Sequence, residues 1–190
     1  MGALEARVTT EQLEKYRTLY EPMHTSDKKF VGKMDLAQRN IITSLVQGLV
    51  LRKLVPDYNR IRLLDYGSGK GYQYLVQRAH EHWGGILPHC YDIGVRYLSQ
   101  RPTGKFHGVI CCDMLEHIAK EDLDDVIEDI YDFVIPGGFV YLHIACRPAK
   151  KTFPDGRNVH LTIEPPEWWG TKLTRRGYDH VSVTCSYELT

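Results

Sequence analysis

The chain has 190 residues, 43% of them apolar and 11% aromatic, and its 24 basic and 24 acidic side chains give a formal net charge of zero. This composition predicts one globular domain over residues 1–190 and excludes a disordered chain, which could not bury enough apolar surface to offset its conformational entropy. Zero net charge disfavours nucleic acid as a partner, because phosphates attract basic proteins.

The sequence also indicates where the protein works. No apolar run approaches the ~20 residues that a membrane-spanning helix needs, and residues 1–16 lack the apolar core of a secretory signal. Five cysteines occur without a Cys-x-x-Cys pair, so we expect reduced, buried thiols and no metal site. These features predict a cytoplasmic protein with no membrane partner.

Helices and strands alternate along the chain. Apolar residues at helical spacing predict helices over 11–20, 35–53, 72–82, 121–134 and 165–177. Short apolar runs bounded by turn residues predict strands over 61–67, 87–92, 106–114, 139–146 and 180–189. A Pro136-Gly137-Gly138 turn is expected to end the helix that precedes it. The alternation predicts an α/β, Rossmann-like fold with a mostly parallel sheet and helices on both faces.

A glycine-rich turn joins the first strand to the helix that follows. Its sequence runs Asp65-Tyr66-Gly67-Ser68-Gly69-Lys70-Gly71. Glycines suit a place where the backbone approaches a ligand, and the helix start leaves N–H groups free. The spacing differs from the Gly-x-Gly-x-x-Gly of dinucleotide-binding proteins, and the Gly-Lys-Ser/Thr ending of a P-loop is missing.

This Asp-x-Gly-x-Gly-x-Gly pattern resembles motif I of the class I S-adenosylmethionine-dependent methyltransferases, in the style of small bacterial and phage members. The resemblance spans about residues 35–190 and implies a class I methyltransferase fold with S-adenosylmethionine as cofactor. It implies that the cofactor's methionine part is held by the carboxylate and the loop that follows it, namely Asp65, Tyr66, Gly67, Ser68, Gly69 and Gly71. The alternative is a glycine-rich turn in some other α/β protein.

A second acidic residue, Asp92, ends the next predicted strand. A carboxylate there can accept hydrogen bonds from both hydroxyls of a ribose, and the position matches the family's ribose-binding acid. Ile93 follows it and is expected beside the cofactor. The alternative is an aspartate that only ends a strand in a turn.

The segment Phe106–Ile118 is similar to the fourth strand and following turn of small-molecule methyltransferases. The resemblance implies that Asp113, Met114 and Leu115 lie beside the cofactor and the reacting methyl group. Glu116 and His117 would begin the next helix, where His117 serves either packing or function.

Methyl transfer depends chiefly on alignment of the reacting groups, so no side-chain base is obligatory. His160, in the long loop after strand 139–146, corresponds to a histidine that many family members place beside the substrate. If the acceptor is a hydroxyl, the candidate bases are His160, Asp113 and His143, in that order.

The chain departs from the family in its middle region. The short stretch 93–105 replaces a helix, a strand and another helix, which predicts a class I methyltransferase fold with a shortened middle region. Either Tyr91, Ile93, Val95 or Tyr97 walls the adenine, or that part of the site is open. Residues 1–34 would form a lid or cap over the cofactor, or a helix packed on the sheet edge.

Three functions remain open from the sequence. The first is methyl transfer to a small-molecule acceptor such as a sugar, a lipid precursor or a metabolite. The second is methylation of nucleic acid, and the third is binding of S-adenosylmethionine without methyl transfer. The acceptor and the oligomeric state are left open by the sequence.

Overall fold

A computed structural model describes residues 7–25, 30–174 and 180–186. Within these ranges, five strands form one sheet with the order β2-β1-β3-β4-β5, and all neighbouring strands are parallel. The strands are β1 (Leu63–Tyr66), β2 (His89–Tyr91), β3 (Phe106–Cys112), β4 (Val134–Ala145) and β5 (Val181–Ser186). The predicted parallel α/β fold is therefore confirmed.

Five α-helices accompany the strands in the described part of the chain. They are α1 (Thr10–Tyr20), α2 (Leu36–Leu51), α3 (Tyr72–Leu75), α4 (Leu123–Asp132) and α5 (Pro166–Thr174). Capping boxes start two of them: Thr9 with Gln12 caps α1, and Asp35 with Gln38 caps α2. Each box satisfies backbone N–H groups that have no partner inside the helix. The predicted ends at 175–177 and 187–189 lie outside the described residues.

Helices cover both faces of the sheet. On one face, Leu49 of α2 and Trp83 of the 3-10 helix Ala79–Trp83 belong to one buried cluster. On the other face, Tyr16 of α1, Ile130 of α4 and Trp169 of α5 belong to a second cluster. A parallel sheet needs this double cover because its strands are apolar on both sides.

The predicted helix over 72–82 is wrong, because the helix is interrupted. Helix α3 ends at Leu75, Arg78 adopts a left-handed φ of 52°, and the 3-10 helix Ala79–Trp83 follows. Tyr74 and Trp83 are both buried, with ring centroids 6.4 Å apart. In one continuous helix, side chains nine residues apart point in directions about 180° apart. The break lets both aromatic rings face the core.

The Pro136-Gly137-Gly138 segment also differs from its prediction. The helix α4 ends at Asp132, and β4 already begins at Val134 and runs through these residues. Val134 pairs with Phe106, whereas Phe139 pairs with Gly108, so the register shifts between the two pairs. The segment therefore interrupts the pairing register within strand β4 and does not form a turn that ends the helix.

The middle region is as short as the sequence suggested. Between β2 and β3 the structure has only the 3-10 turn Arg96–Leu98 as regular structure. Arg101 donates to both carboxylate oxygens of the fully buried Asp129 of α4, at 2.8 and 2.6 Å. Tyr66 of β1 donates to the same carboxylate at 3.1 Å. This buried charge pair fixes the short region against the sheet.

Within the described ranges, every helix is too short or too polar to span a bilayer.

Candidate functional site

A cavity of about 260 Å³ lies at the carboxyl ends of β1, β2 and β3. The residues after β1, β2 and β3 form one side of it, represented by Gly67, Asp92 and Asp113. In the sheet, β2 lies on one side of β1, and β3 and the strands after it lie on the other side. The direction in which successive strands are added therefore reverses at β1. Open α/β sheets bind ligands at such a point.

The glycine loop is shaped by close contacts with its own neighbours. The N–H groups of Gly67 and Ser68 donate to the carbonyl of Tyr91, at 2.8 and 3.1 Å. Gly67 has a φ of 83°, and a Cβ there would lie 2.3 Å from Cγ of Met114. At Gly69 a Cβ would lie 2.7 Å from the carbonyl oxygen of Phe30. The two glycines thus admit Met114 on one side and the segment around Phe30 on the other.

Asp65, the predicted cofactor-binding acid, lies in the cavity wall and is only 2% exposed. Its Oδ2 accepts hydrogen bonds from the Tyr74 hydroxyl at 2.6 Å and from Nε2 of Gln73 at 2.8 Å. Burial raises the pKa of Asp65 to about 6 despite these donors, because a low-dielectric site disfavours the charged form.

Gln73 also lines the cavity and was missed by the sequence reasoning. Its Nε2 donates to Asp65 and to the Ser68 carbonyl, whereas its buried Oε1 has no hydrogen-bond donor among the described residues. A buried acceptor without a donor is rare in proteins. Gln73 therefore offers a hydrogen-bond acceptor to a ligand beside Asp65.

Asp92 is held by backbone amides at the other end of the loop. Its Oδ2 accepts from the Gly69 N–H at 2.7 Å and its Oδ1 from the Gly94 N–H at 2.9 Å. Nε2 of His24 lies 3.9 Å from the same Oδ1. Burial raises the pKa of Asp92 and lowers that of His24, so both groups are pushed toward their neutral forms.

The N-terminal segment, residues 7–25 and 30–34, covers the cavity. Tyr16, Tyr20, His24 and Phe30 all line it. The Tyr16 hydroxyl donates to Asp122 at the start of α4, at 2.6 Å. The lid or cap expected over residues 1–34 stays a prediction, and its residues 1–6 and 26–29 lie outside the described ranges.

Asp113 and His143 form a polar pair at the carboxyl ends of β3 and β4. Asp113 adopts a left-handed φ of 52°, a conformation that side-chain-bearing residues rarely take. Its N–H donates to the His143 carbonyl at 2.8 Å, and its Oδ1 lies 2.7 Å from Nδ1 of His143. Asp113 lines the cavity, so the pair can take a proton from a ligand there.

Glu116, His117 and His160 form a second polar group beside the cavity. The His117 and His160 rings meet edge to face with centroids 4.8 Å apart, and Glu116 is 0% exposed. The backbone carbonyl of Glu116 accepts from Leu161 and Thr162, which fixes the loop that carries His160. Burial lowers the pKa of His117 to about 4 and raises that of Glu116.

Most of the predicted cofactor-binding residues meet at the cavity. Those that line it are Asp65, Tyr66, Gly67, Ser68, Gly69, Asp92, Ile93, Asp113 and Met114. Gly71 instead precedes α3 as its N-cap, and Leu115 lies in the buried core. Among the described cavity-lining residues, His143 and His160 are absent, but each contacts one that is present.

The candidates for the adenine wall separate in the same way. Tyr91 and Ile93 line the cavity, whereas Val95 is buried outside its lining and Tyr97 is 73% exposed. Tyr91 and Ile93 therefore lie in the cavity lining with Asp92, and their contact with an adenine stays a prediction.

Neither a protein-family model nor a curated protein matches this chain. The residues around the cavity therefore carry the functional assignment.

Proposed function

We propose that the chain transfers a methyl group from S-adenosylmethionine to a small-molecule acceptor. One observation supports this above all: Asp65, the glycine loop and Asp92 surround a single cavity at the reversal point of a parallel sheet. This is where the resemblance to motif I and to the ribose-binding acid expects the two ends of the cofactor.

The polar groups at the Asp65 end fit the amino-acid part of the cofactor. An ammonium group is a pure donor, and Gln73 Oε1 is a buried acceptor whose donor is missing among the described residues. The Asp65 carboxylate shares the same wall and would balance the ammonium charge. The two acceptors together suit a positively charged, hydrogen-bonding group.

The Asp92 end fits a ribose. The Asp92 carboxylate accepts backbone N–H groups from Gly69 and Gly94, and the Val95 N–H is a further donor to it. A carboxylate has about four acceptor positions, so it retains capacity for a ribose hydroxyl. His24 lies beside this carboxylate, so a bound ribose requires the His24 ring to shift.

The volume of the cavity implies movement of the N-terminal segment. The cavity measures about 260 Å³, near the lower limit of the ~300–1,000 Å³ that ligand sites usually have. Tyr20, His24 and Phe30 of this segment line it. We therefore propose that this segment opens to admit ligands and closes over them, which would exclude water.

When bound, S-adenosylmethionine supplies an electrophilic methyl group. Alignment of the acceptor by the cavity walls can lower the barrier by ~7–11 kcal/mol. Asp113 lines the cavity and can accept the proton of a hydroxyl acceptor, which typically adds ~10²–10⁴-fold. His143 contacts the Asp113 carboxylate at 2.7 Å and acts as a positioning residue. The role of His160 as a base stays a prediction.

A small acceptor suits this cavity better than a nucleic acid does. The N-terminal segment covers the cavity, and the formal net charge of zero gives no general attraction for phosphates. A methyl acceptor is therefore sought among small molecules, by transfer of label from S-[methyl-³H]adenosylmethionine.

Calorimetry with S-adenosylmethionine and with its demethylated product tests the assignment. Asp92→Ala should weaken binding at least about ten-fold, because a charge-assisted hydrogen bond contributes ~1.5–3 kcal/mol. Asp124→Ala is the matched control, because Asp124 is an exposed carboxylate paired with Lys172 on the surface. We expect its affinity to equal that of the unmodified chain.

Two results would contradict the proposal. One is no heat of binding with either compound. The other is equal weakening by Asp92→Ala and Asp124→Ala. Asp92→Asn keeps one acceptor oxygen, which can serve the Gly69 N–H or the Gly94 N–H but not both, so circular dichroism is used to check its fold. A folded Asp92→Asn chain that binds weakly would assign the lost affinity to the ribose contact rather than to collapse of the loop.

A further inference from the structure

Three side chains beside the cavity bring metal-binding atoms together. One carboxylate oxygen of Glu116 and one ring nitrogen each of His117 and His160 all lie within 4.8 Å of one another. Glu116 and His117 follow β3, and His160 comes from the loop after β4. The sequence predicted no metal site because it lacks cysteine pairs, whereas this group forms only when the two segments meet.

Both imidazole rings are held in the form that binds a cation. Nδ1 of His117 lies 2.8 Å from the Val159 carbonyl oxygen, and Nδ1 of His160 lies 2.6 Å from the Arg147 carbonyl oxygen. A carbonyl only accepts, so each Nδ1 carries the proton and each Nε2 has a free lone pair. Metal-binding histidines are oriented by the same kind of hydrogen bond.

The carboxylate has an oxygen available for a ligand. Glu116 is fully buried, and its Oε1 accepts from the Ala145 N–H at 3.1 Å. Its Oε2 has no hydrogen-bond partner within the described ranges. A buried carboxylate without enough partners is costly, and a cation at the meeting point of the three groups would offset that cost.

We propose that Glu116, His117 and His160 form a binding site for a divalent transition-metal ion, with Zn²⁺ as the best match. Two imidazole nitrogens and one carboxylate oxygen suit zinc and its neighbours, whereas Mg²⁺ and Ca²⁺ prefer oxygen ligands alone. Three protein ligands leave a fourth position open, as in catalytic zinc sites.

The spacing requires a contraction of the site on binding. Around a tetrahedral zinc with ligands at ~2.0–2.1 Å, neighbouring ligand atoms lie about 3.4 Å apart, so groups that now lie up to 4.8 Å apart must approach one another. His117 also lines the cavity, together with nearby Asp113. The ion would therefore lie in the cavity wall, close to the acidic group already described.

Neighbouring charges affect this site in both directions. Asp113 is the nearby negative group that favours a cation, and Arg147 and Lys151 are nearby positive groups that oppose it. The inference is independent of the proposed methyl transfer, because it concerns side chains outside the glycine loop and needs no nucleoside.

Titration of the metal-free full chain with metal ions alone tests the site. We expect one Zn²⁺ per chain by calorimetry, visible d–d absorption with Co²⁺ and much weaker binding of Mg²⁺. His160→Ala removes a ligand from a loop and should weaken Zn²⁺ binding at least about ten-fold. The control is His82→Ala, because His82 is an exposed histidine of the 3-10 helix Ala79–Trp83.

Glu116→Gln provides a second, independent variant. It should weaken Zn²⁺ binding and alter the Co²⁺ spectrum, and circular dichroism reports whether it folds. Absence of stoichiometric Zn²⁺ binding to the unmodified chain would overturn the inference. So would equal affinities of His160→Ala and His82→Ala. Neither result bears on S-adenosylmethionine binding, which is measured separately.

Discussion

The residues at the ends of β1 and β2 and those at the ends of β3 and β4 are held in place by different kinds of contact. At the ends of β1 and β2, backbone geometry dominates: Gly67 and Gly69 have positive φ values, and loop amides hold Asp92. At the ends of β3 and β4, side chains dominate: Asp113 contacts His143, and His117 contacts His160. The residues of the first group leave room for a ligand to lie against the main chain, whereas those of the second group present titratable groups to it.

The two groups of residues also differ in how far apart in the sequence their contacting partners lie. Asp65 finds its partners Gln73 and Tyr74 within the next turn of structure. His117 finds the carbonyl that orients it in Val159, from a distant loop. The partners of Asp65 are therefore close to it in the sequence, whereas the partner of His117 is not.

The largest expected effect comes from Gly67→Ala. The added Cβ would lie 2.3 Å from Met114 Cγ, at a φ of 83°, so Met114 must move into the cavity. We expect at least a hundred-fold loss of affinity for S-adenosylmethionine by calorimetry. Gly85→Ala is the matched control, because Gly85 has a φ of 80° with nothing within 4 Å of its Cβ position.

This pair of variants separates backbone strain from crowding. Both add a methyl group at a positive φ, which costs about 1–2 kcal/mol, but only Gly67→Ala crowds the cavity. Similar affinities of the two variants for S-adenosylmethionine would show that binding does not depend on the close approach of Met114 to Gly67.

A smaller effect is expected from pH at Asp65, where burial raises the pKa to about 6. An ammonium ligand favours the ionised carboxylate, so affinity should rise about ten-fold between pH 5 and pH 7. The free energy of unfolding of the ligand-free chain should instead fall as pH rises. The raised pKa means that the stability contributed by Asp65 is present at low pH and is lost as pH rises through about 6.

Asp65→Asn tests whether Asp65, rather than a neighbouring titratable group, causes the pH dependence of the affinity. Asp92 is the other carboxylate acting on Asp65, and the phenol of Tyr74 and the thiol of Cys90 stay neutral because burial raises their pKa values. Affinity of the variant should be lower and should lose most of its dependence between pH 5 and pH 7. An unchanged pH dependence would assign the effect to Asp92.

The smallest effect is expected from Tyr20→Phe, which removes the hydroxyl that joins the N-terminal segment to the segments around His117 and Val159. The buried Tyr20 hydroxyl lies 2.8 Å from the His117 carbonyl oxygen and 2.9 Å from that of Val159. Its loss should lower the free energy of unfolding by about 1 kcal/mol in urea denaturation. Tyr97→Phe, at a 73% exposed position, should have no measurable effect, and equal values would remove Tyr20 as a link.

The sequence predicted the parts of the structure that depend on local pattern. Parallel strands, the glycine turn and the acids Asp65 and Asp92 each follow from a few adjacent residues. The helix over 72–82 could not be predicted correctly, because apolar Leu75 and Val76 are exposed while Tyr74 and Trp83 are buried. The left-handed Arg78 lies between the two helical segments and changes the direction of the chain there.

The missed site residues share a different cause. Gln73, His24 and Glu116 are polar residues whose roles depend on burial, and burial depends on segments that meet only in the folded chain. A lone glutamine or histidine carries no spacing signal in the sequence. The sequence analysis did name His160 and His117, but the contact between their rings and the hydrogen bond of His160 to the Arg147 carbonyl depend on the folded loop.

The contacts of the N-terminal segment have a consequence for the order of folding. Arg7 pairs with Asp132, Tyr16 bonds to Asp122, and Tyr20 reaches Val159, each more than 100 positions later in the chain. During synthesis, the residues that cover the cavity leave the ribosome well before the surfaces they dock on. Closing such long loops is slow, so docking of this segment should be a late event, and a nascent chain would expose Tyr16 and Tyr20 to chaperones until residue 159 has emerged.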